Sequence, residues 1–419
     1  MCRSVFYIFI FSTIWFSCST ADRISEHKKL DKIINTDVLV KRVMDSFDKF
    51  ESQIIYTQIN RDKQNKPSFK SYYWNHRPNH YFYPASTVKM PVALLAAEKI
   101  NRLRKSTSQI HLFSPLKITA ARFPQTFVTT DSTSPNGMPS VGHYIKKIFI
   151  VSDNDAYNRL YEFIGQQAIN QRLQSMGFNV HILHRLDAPE FDTESNKYTN
   201  PSELYEEDFN LYSQNEQYNS LDQRIKGLSH LKKGNGYIKK DSLVLEPFDF
   251  SAKNFISLQS LHDLIKTIVF PESVAENSRF DIADHDLDYI HIQMSKLPRE
   301  SKHPIFDSTH ADGYCKFLMY GDTKNQMPDH IRIFNKVGWA YGFLTDAAYI
   351  VDFKNKVEFM LSATINTNTD GIYNDGKYEY ETIGLPYLSK LGKMFYTFEL
   401  NRKKKITPDL SKLKLNYSE

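Results

Sequence analysis

The sequence predicts an α/β (α+β) fold in which an antiparallel five-stranded sheet is built from both chain ends beside an all-helical middle. Two strand-like runs, SQIIYTQIN and SFKSYYWN, lie near the start and are separated by a turn-rich link. Near the end, three β-rich runs follow one another with short polar or glycine-containing links: HIRIFNKVGW, TDAAYIVDF and VEFMLSATIN. Strands from the two ends can therefore pair into one sheet.

Helical patterns account for most of the remaining chain. Apolar residues recur at helical spacing from Val38 to Phe50, and a long helix is predicted from about Ser86 to Leu103. The later segment KYEYETIGLPYLSKLGKMFYTFEL is also predicted to be helical, with an interruption at Pro386. Strands and a helix at each end thus bracket a mostly helical middle, which we expect to form an all-helical subdomain.

The composition argues against some classes of function. The chain has 419 residues and a modest net charge of +5. Since no dense basic patch is interleaved with exposed aromatic residues, nucleic acid is not an expected partner. The basic segment 401–419 is typical of a solvated tail. The cluster DIADHDLDYIHIQ fits no zinc or calcium spacing, so we expect a solvated loop there and neither a metal nor another cofactor.

The first residues have the pattern of an export signal. The opening MCRSVFYIFIFSTIWFSCST combines the basic Arg3, an apolar run too short to span a bilayer and small residues around Cys18. It resembles a bacterial lipoprotein signal, which implies a signal peptide over 1–17, a membrane-anchoring lipid on Cys18 and a polar tether over 18–37. An ordinary signal peptide cleaved nearby is the alternative. In both cases we expect export to the periplasm or cell envelope, with Cys315 outside any internal disulfide.

The stretch YFYPASTVKMPVALLAAEKI carries one serine and, three residues later, a lysine. Residues i and i+3 share one face of a helix, so Ser86 and Lys89 can contact each other. The helix dipole favours negative charge at Ser86, and apolar neighbours disfavour the charged form of Lys89. A neutral amine can then activate the serine as a nucleophile. Taken alone, the pair also fits a serine N-cap followed by a lysine that reaches solvent.

Two further motifs favour the catalytic interpretation. Ser152-Asp153-Asn154 lies in the predicted helical middle, and Lys336-Val337-Gly338 lies on a predicted late strand. The order S-x-x-K, S-D-N and K-[TS]-G is the signature of class A β-lactamases and penicillin-binding proteins. From about Val38 to Leu400 the chain therefore resembles the class A β-lactamase-type serine hydrolases, with ASTVKMPVALL and VSDNDAYNRLYEFIG as close matches. The resemblance implies a β-lactamase-like domain over 38–400.

The resemblance also implies the catalytic roles. Ser86 corresponds to the acylated nucleophile, and Lys89 corresponds to its general base. Ser152 corresponds to the hydroxyl that passes a proton to the leaving nitrogen. On the loop after the helical middle, Glu190 falls where the family has the glutamate that activates water for deacylation. An exposed loop carboxylate is the alternative for Glu190, because Glu194 stands where the family has a supporting asparagine.

Substrate-binding roles follow from the same resemblance. Asn154 corresponds to the amide that binds the substrate side chain and steadies Lys89. Lys336 and Gly338 lie on the substrate-binding strand, where the lysine adds positive potential toward the substrate carboxylate. The backbone N–H of Trp339 would complete an oxyanion hole with that of the nucleophile. Val337 replaces the hydroxyl residue of K-[TS]-G, which removes a hydrogen bond worth about 0.5–1.5 kcal/mol.

The chain is also longer than a compact β-lactamase. The excess lies in two insertions, at about 201–254 and 271–330, which we expect to flank the active-site rim. The leading hypothesis is an exported serine hydrolase that forms an acyl-enzyme with a cyclic amide, such as a β-lactam, or with a peptide amide. The alternatives are a peptidoglycan peptidase or amidase and a non-catalytic envelope lipoprotein that binds cell-wall peptides.

Overall fold

The computed structural model of the chain describes residues 20–120 and 122–418. The expected signal peptide over 1–17 and the expected lipidation site Cys18 lie outside the described residues. None of the helices in the described ranges combines the length and the apolar character that are needed to cross a bilayer.

Helices and strands alternate along the described chain. The α-helices are α1 (Thr20–Ile34), α2 (Val38–Asp45), α3 (Phe47–Phe50), α4 (Lys89–Arg104), α5 (Val141–Ile150), α6 (Asn154–Ile164), α7 (Gln166–Ser175), α8 (Leu258–Val269), α9 (Asp284–Ser295), α10 (Phe317–Tyr320) and α11 (Leu385–Asn401). The strands are β1 (Gln53–Arg61), β2 (Pro67–Trp74), β3 (Leu116–Ile118), β4 (Val180–His181), β5 (Tyr198–Thr199), β6 (Ser202–Glu206), β7 (Phe209–Gln214), β8 (Gln217–Tyr218), β9 (Lys232–Lys233), β10 (Gly236–Lys239), β11 (Ser242–Val244), β12 (Phe248–Asp249), β13 (Phe255–Ile256), β14 (Ile331–Ala340), β15 (Phe343–Asp352), β16 (Val357–Asn366) and β17 (Ile372–Tyr373).

The central sheet has five antiparallel strands in the order β14-β15-β16-β1-β2. The two ends of the chain meet where β1 pairs with β16, with Gln53 opposite Thr364. Every residue of β15 and β16 is buried, because helices cover both faces of the sheet. The predicted fold class, with one sheet built from both chain ends, is confirmed.

The segment expected to be a polar tether is largely helical. In α1, the apolar residues Leu30 and Ile34 lie one turn apart and are buried with the core side chains of α2 and α11. Polar side chains fasten the helix to β2, since Trp74 donates a 2.7 Å hydrogen bond to Asp31 and Tyr72 donates one of 2.6 Å to Glu26. The tether prediction for 18–37 is therefore corrected over residues 20–34.

The middle of the chain is helical around α4 to α7, but it also contains short strands. β6 pairs with β3 on one side and β7 on the other, so that part of the predicted insertion 201–254 joins the helical region as a small sheet. These strands are short and mostly polar outside Leu204, which is fully buried. The expectation of an all-helical middle is corrected accordingly, because strands of two to six residues leave little periodicity to detect.

The segment 271–330 is also more regular than predicted. The stretch expected to be a solvated loop forms α9, whose Ile290 and Met294 are buried in the main core. Tyr289 of the same helix donates a 2.9 Å hydrogen bond to the carbonyl of Gly142 at the start of α5. The acidic residues at the front of α9 obscured its apolar face in the sequence.

The basic C-terminal segment folds back onto the domain. Leu410 is buried in the main core, and the Tyr417 ring lies 3.8 Å from the guanidinium of Arg332. The Tyr417 hydroxyl also shares a 2.9 Å hydrogen bond with Ser295 at the end of α9. The expectation of a free solvated tail over 401–419 is corrected, since the apolar Leu410 and the aromatic Tyr417 supply contacts with the domain.

A buried charge cluster at Glu51 fastens the insertion 201–254 to the sheet. One carboxylate oxygen accepts a 2.6 Å hydrogen bond from His80 and pairs with Lys233 of the insertion. The other oxygen accepts a 3.1 Å hydrogen bond from Asn366 at the end of β16. Burial alone would raise the pKa of Glu51, but the bond from His80 and the charge of Lys233 outweigh it and lower the pKa from 4.5 to about 2.

Glu51→Gln should therefore destabilise the fold by about 3 kcal/mol at neutral pH. A depressed carboxyl pKa stabilises the folded state above pH 4.5, and this contribution is lost as the pH falls toward 2. Urea unfolding between pH 3 and pH 7 measures the effect, with Glu246→Gln as an exposed control in the same insertion. Equal stability of wild type and Glu51→Gln over this range would contradict the assignment.

Candidate active site

Ser86 lies in a tight turn at the mouth of α4. The 3-10 turn Ala85–Val88 is closed by the Thr87 backbone N–H and hydroxyl, which donate to the Pro84 carbonyl at 3.1 and 2.7 Å. Ala85 has a φ of +46°, a left-handed conformation that is strained for a residue with a Cβ. Strain of this kind persists only where the surrounding packing fixes the backbone, so the turn holds Ser86 in one place.

Lys89, one turn further along, is fully buried. Its Nζ donates to the backbone carbonyl of Ser152, to the Ser152 Oγ at 3.3 Å and to the Asn154 Oδ1 at 2.6 Å. These three acceptors match the three hydrogens of an ammonium group. Within the described chain, the hydrogen bonds of Lys89 thus go to the S-D-N motif and not to Ser86.

The environment of Lys89 disfavours its charged form. Burial lowers the pKa of Lys89 well below its ordinary value, and the nearby charge of Lys336 lowers it further. Asp153, Cys315 and Asp187 act in the opposite direction without restoring the pKa. The neutral amine, which is the form that can accept a proton, is therefore more accessible for Lys89 than for an exposed lysine.

Ser152 connects the two lysines of the site. It lies between α5 and α6 and has a φ of +61°. The next residue, Asp153, caps α6 by accepting a 2.7 Å hydrogen bond from the Ala156 N–H. The Ser152 Oγ accepts a hydrogen bond from Lys336 Nζ at 2.8 Å as well as the one from Lys89. With both lone pairs engaged, the hydroxyl proton is left to donate into the cleft.

Lys336 lies on β14 and is almost fully buried. Besides its bond to Ser152, its Nζ donates to the Val337 carbonyl at 2.9 Å. Burial lowers the pKa of Lys336 to about 8, although Cys315 and Asp346 oppose the shift. The side chain is therefore mostly charged at neutral pH.

A polar network of buried residues lies behind Lys336. Asn335 donates to the carbonyl of Cys315 at 2.9 Å and to Asp346 at 2.8 Å, and it accepts a 2.7 Å bond from Lys316. Burial raises the pKa of Asp346 to about 6. No sequence motif indicated this network. The signal in the sequence was the presence of the polar residues Asn335 and Asp346 in otherwise apolar strands.

Gly338 allows β14 to pack directly against the Ser86 turn. A Cβ on Gly338 would lie 2.4 Å from the Pro84 carbonyl oxygen and 2.9 Å from the backbone nitrogens of Ser86 and Thr87. Such distances are too short for any side chain, and the obstacles are backbone atoms that cannot rotate away. The glycine of the K-x-G motif is therefore required by the approach of two backbones.

The site opens into a cavity of about 670 Å³ that is lined by Ser86, Ser152 and Asn154. Aromatic side chains form much of its wall: Tyr83, Tyr314, Trp339, Tyr341 and Tyr378. The Trp339 ring is 40 % exposed and stacks on Tyr380 at 5.9 Å between centroids. The structure thus brings together Ser86, Lys89, Ser152, Asn154, Lys336, Gly338 and Trp339, as the sequence motifs predicted.

Glu190 is the predicted site residue that the structure does not bring to Ser86. Its side chain is exposed and lines a neighbouring cavity of about 240 Å³. Within the described residues, the acid that lines the Ser86 cavity is Asp187. Glu194, the other acid noted on this loop, pairs with Lys197 at 2.7 Å and lines neither cavity.

Val337 is buried where the related motif carries a hydroxyl. It lines a very small pocket together with Ser86, Ser152 and Cys315. Methyl groups replace a hydrogen-bond donor there, so this wall of the site is apolar.

Gly338→Ala tests the packing of β14 against the nucleophile turn. The added Cβ should displace the turn and slow the reaction of Ser86 with a penicillin by about 10²-fold, because small misplacements of reacting groups are costly. Mass spectrometry of the labelled protein measures the rate, and thermal unfolding reports whether the fold persists. Gly142→Ala is the matched control, since the atoms nearest to its Cβ belong to the half-exposed side chain of Phe113. Wild-type labelling by Gly338→Ala would contradict the packing argument.

Residues 39–235 match the model of the beta-lactamase enzyme family. The matched range includes Ser86, Lys89, Ser152 and Asn154 but ends before Lys336. No curated protein matches the chain in sequence.

Solved structures of similar architecture include a class A β-lactamase from Clostridium kluyveri, at 12% identity and a TM-score of 0.46, with 90% of this chain and 99% of that chain covered. The carbapenemase VCC-1 from Vibrio cholerae is 16% identical at a TM-score of 0.43, covering 86% of this chain and 98% of that one. PBP-A is 12% identical at a TM-score of 0.45, covering 89% and 96%. The family match confirms the resemblance predicted from the motifs and relates the chain to the β-lactamase-type serine hydrolases.

Proposed function

We propose that the chain is a serine hydrolase that forms an acyl-enzyme on Ser86 with a β-lactam, another cyclic amide or a peptide amide. The observation that carries this proposal is the buried Lys89, whose Nζ is shared between Ser152 and Asn154 one turn after the serine. Burying an ammonium group costs free energy, and a buried lysine with a lowered pKa beside a cleft is typical of a site of proton transfer. The family match over 39–235 supports the same class of chemistry.

In the proposed acylation step, Lys89 in its neutral form accepts the Ser86 proton as Oγ bonds to the acyl carbon. Ser152 then donates its proton to the leaving nitrogen as the C–N bond breaks, and Lys89 replaces that proton through its contact with the Ser152 Oγ. The bond from Lys336 holds the Ser152 hydroxyl in the orientation that this relay needs. Contacts between a nucleophile and its base commonly tighten only when substrate is bound. The step is therefore compatible with a Lys89 side chain that bonds to Ser152 and Asn154 and not to Ser86.

The negative charge of the tetrahedral intermediate needs N–H donors. In the proposed mechanism these are the backbone N–H groups of Ser86 and Trp339. The close approach at Gly338 supports this assignment, because it sets β14 directly beside the Ser86 backbone nitrogen. Lys336, with its pKa of about 8, adds positive charge at neutral pH for a substrate carboxylate.

A peptide substrate is the second candidate, and the size of the cleft favours it. The 670 Å³ cavity shares Tyr83, Asp187 and Tyr341 with a second cavity of about 570 Å³. The combined space accommodates an acyl donor longer than a small bicyclic amide. A peptidoglycan peptidase or amidase would use it, and the apolar Val337 is a further departure from β-lactam-binding enzymes. A purely binding lipoprotein is disfavoured, since binding alone does not require a desolvated lysine.

Ser86→Ala should abolish acylation while leaving the fold intact, because the hydroxyl is the proposed attacking group. Mass spectrometry after incubation with a penicillin measures the adduct on the wild type and the variant. Ser106→Ala, at the exposed end of α4, is the matched serine control. A stable wild-type adduct indicates a penicillin-binding protein and turnover indicates a β-lactamase, whereas labelling of Ser86→Ala would reject the nucleophile.

We also propose that the protein is exported and anchored in the membrane by a lipid on Cys18. The support is the sequence pattern alone: Arg3, a short apolar run and small residues before the cysteine. An anchor of this kind would keep the hydrolase at the cell envelope, where cell-wall peptides and β-lactams are encountered.

Cys18→Ser should release the protein from membranes or block its lipid-dependent processing, because a single cysteine carries the proposed lipid. Membrane fractionation and fatty-acid labelling measure the change. Cys2→Ser serves as the control, since Cys2 precedes the apolar run of the signal. Unaltered fractionation and labelling of Cys18→Ser would rule out the anchor.

A further inference from the structure

We propose that the amide substrate of the Ser86 site carries an ammonium group, which Asp187 binds where the cavities of about 670 and 570 Å³ meet. The inference rests on the proposed acyl-enzyme function and names a class of substrate for it. That class is a cyclic or peptide amide whose acyl part has a positively charged amine. The proposal follows from the charge and the chemistry of the cavity wall.

The wall of the Ser86 cavity is negatively charged. Of its lining residues, all within the described chain, Asp187 is the one with a charged side chain. Lys336 is not among them, and its Nζ donates to the Ser152 hydroxyl and the Val337 carbonyl. A cationic group inside the cavity therefore meets a carboxylate directly, whereas an anionic group there meets a like charge.

The Asp187 carboxylate is available to a ligand. Its side chain is exposed and forms no hydrogen bond or ion pair with other described residues. Two other acids of the same loop are engaged, since Asp192 accepts a 2.7 Å bond from the Ser195 N–H and Glu194 pairs with Lys197 at 2.7 Å. A carboxylate without a partner at the wall of a cleft is complementary to an ammonium group, which can donate charge-assisted hydrogen bonds to it.

Aromatic rings lie beside Asp187 at the junction of the two cavities. Tyr83 and Tyr341 line both cavities, as Asp187 does, and their ring centroids are 5.0 Å apart. The faces of such rings attract ammonium groups. The chain itself gives an example, because the Nζ of Lys253 lies 5.6 Å from the centroid of the Tyr341 ring. The junction thus offers a cation both a carboxylate and aromatic faces.

The neighbouring 570 Å³ cavity does not reverse the charge of the site. Besides Asp187, its charged lining residues are Arg185, Asp192 and Lys253. Arg185 is buried and paired with Glu162, so its charge is compensated inside the fold. Lys253 and Asp192 offset each other in the sum of charges. Asp187 therefore leaves the two cavities together with a net negative charge, which favours cationic ligands.

The loop places Asp187 near the group that binds the substrate side chain. Asn154, which corresponds to that group, lines the Ser86 cavity and the 240 Å³ cavity, and Asp187 lines both as well. Asn158 of the same helix bonds to the carbonyl and to the N–H of Leu186, each at 2.9 Å. Because α6 fixes both positions, a substrate side chain held by Asn154 comes within reach of Asp187.

Penicillin G and ampicillin form a matched pair of acyl donors, since they differ by one ammonium group on the side chain. Both carry the same carboxylate, so any contribution of Lys336 cancels in the ratio of their acylation rates. Mass spectrometry under single-turnover conditions measures this ratio from the adduct on Ser86, at about pH 6, where an α-amine is protonated. In the wild type, ampicillin should react about 5-fold faster, the effect of an exposed ion pair.

Asp187→Asn should reduce the ratio to about one, because the ion pair is lost. Asparagine tolerates the left-handed backbone at this position, where φ is +51°, so the loop should keep its conformation. The ratio is measured within each variant, so a general loss of reactivity cancels. Glu194→Gln is the matched control: it removes a carboxylate of the same loop that lines none of the three cavities, and it should keep the wild-type ratio.

The failure of the inference is distinguishable from the failure of the proposed function. Equal acylation of the wild type by the two penicillins would overturn the inference and leave Ser86 as the nucleophile. A preference for ampicillin that persists in Asp187→Asn, or that Glu194→Gln also abolishes, would reject Asp187 as the binding group. If neither penicillin forms an adduct on Ser86, the acyl-enzyme function with β-lactams fails, and the inference fails with it.

Discussion

The contact between Gly338 and the Ser86 turn is the constraint on which the site depends. One side of this contact comes from the sheet formed by the chain ends, and the other comes from the start of the helical part. Because backbone meets backbone there, Lys336 is carried by β14 to within 2.8 Å of the Ser152 hydroxyl. The catalytic motifs are far apart in the sequence, and this packing brings them to one cleft.

The close packing also brings two lysines near each other, Lys89 and Lys336. The repulsion between their charges helps to give them different pKa values. Lys89 and Lys336 are both buried, and each bonds to the Ser152 Oγ. Burial and the neighbouring charge push the pKa of Lys89 far down, whereas Asp346 and Cys315 oppose the fall at Lys336, whose pKa stays at about 8. One lysine is thereby suited to accept protons and the other to remain a positive charge.

Short motifs in the sequence predicted most of the site, because each motif fixes its residues through local geometry. Ser86 and Lys89 lie on one helical turn, and Ser152 and Asn154 lie on either side of one helix cap. The course of the loop that leaves Glu190 outside the Ser86 cavity could not be predicted in this way, since it depends on bonds from distant residues such as Asn158 to Leu186. The docking of α1 escaped prediction for a similar reason: two buried apolar residues in a charged helix give a weak pattern.

The insertion 201–254, which a compact hydrolase lacks, packs against the wall of the cleft. In the insertion, Phe248 stacks on Tyr341 at 5.5 Å between ring centroids, and Phe250 lies 6.0 Å from Tyr83. β10 of the insertion pairs in parallel with β17, which leads into the cavity residues Asn374, Gly376 and Tyr378. Glu51 fastens the same insertion to the sheet through Lys233. The insertion therefore supports the aromatic wall from behind, so that the shape of the cavity depends on residues outside the S-x-x-K, S-D-N and K-x-G motifs.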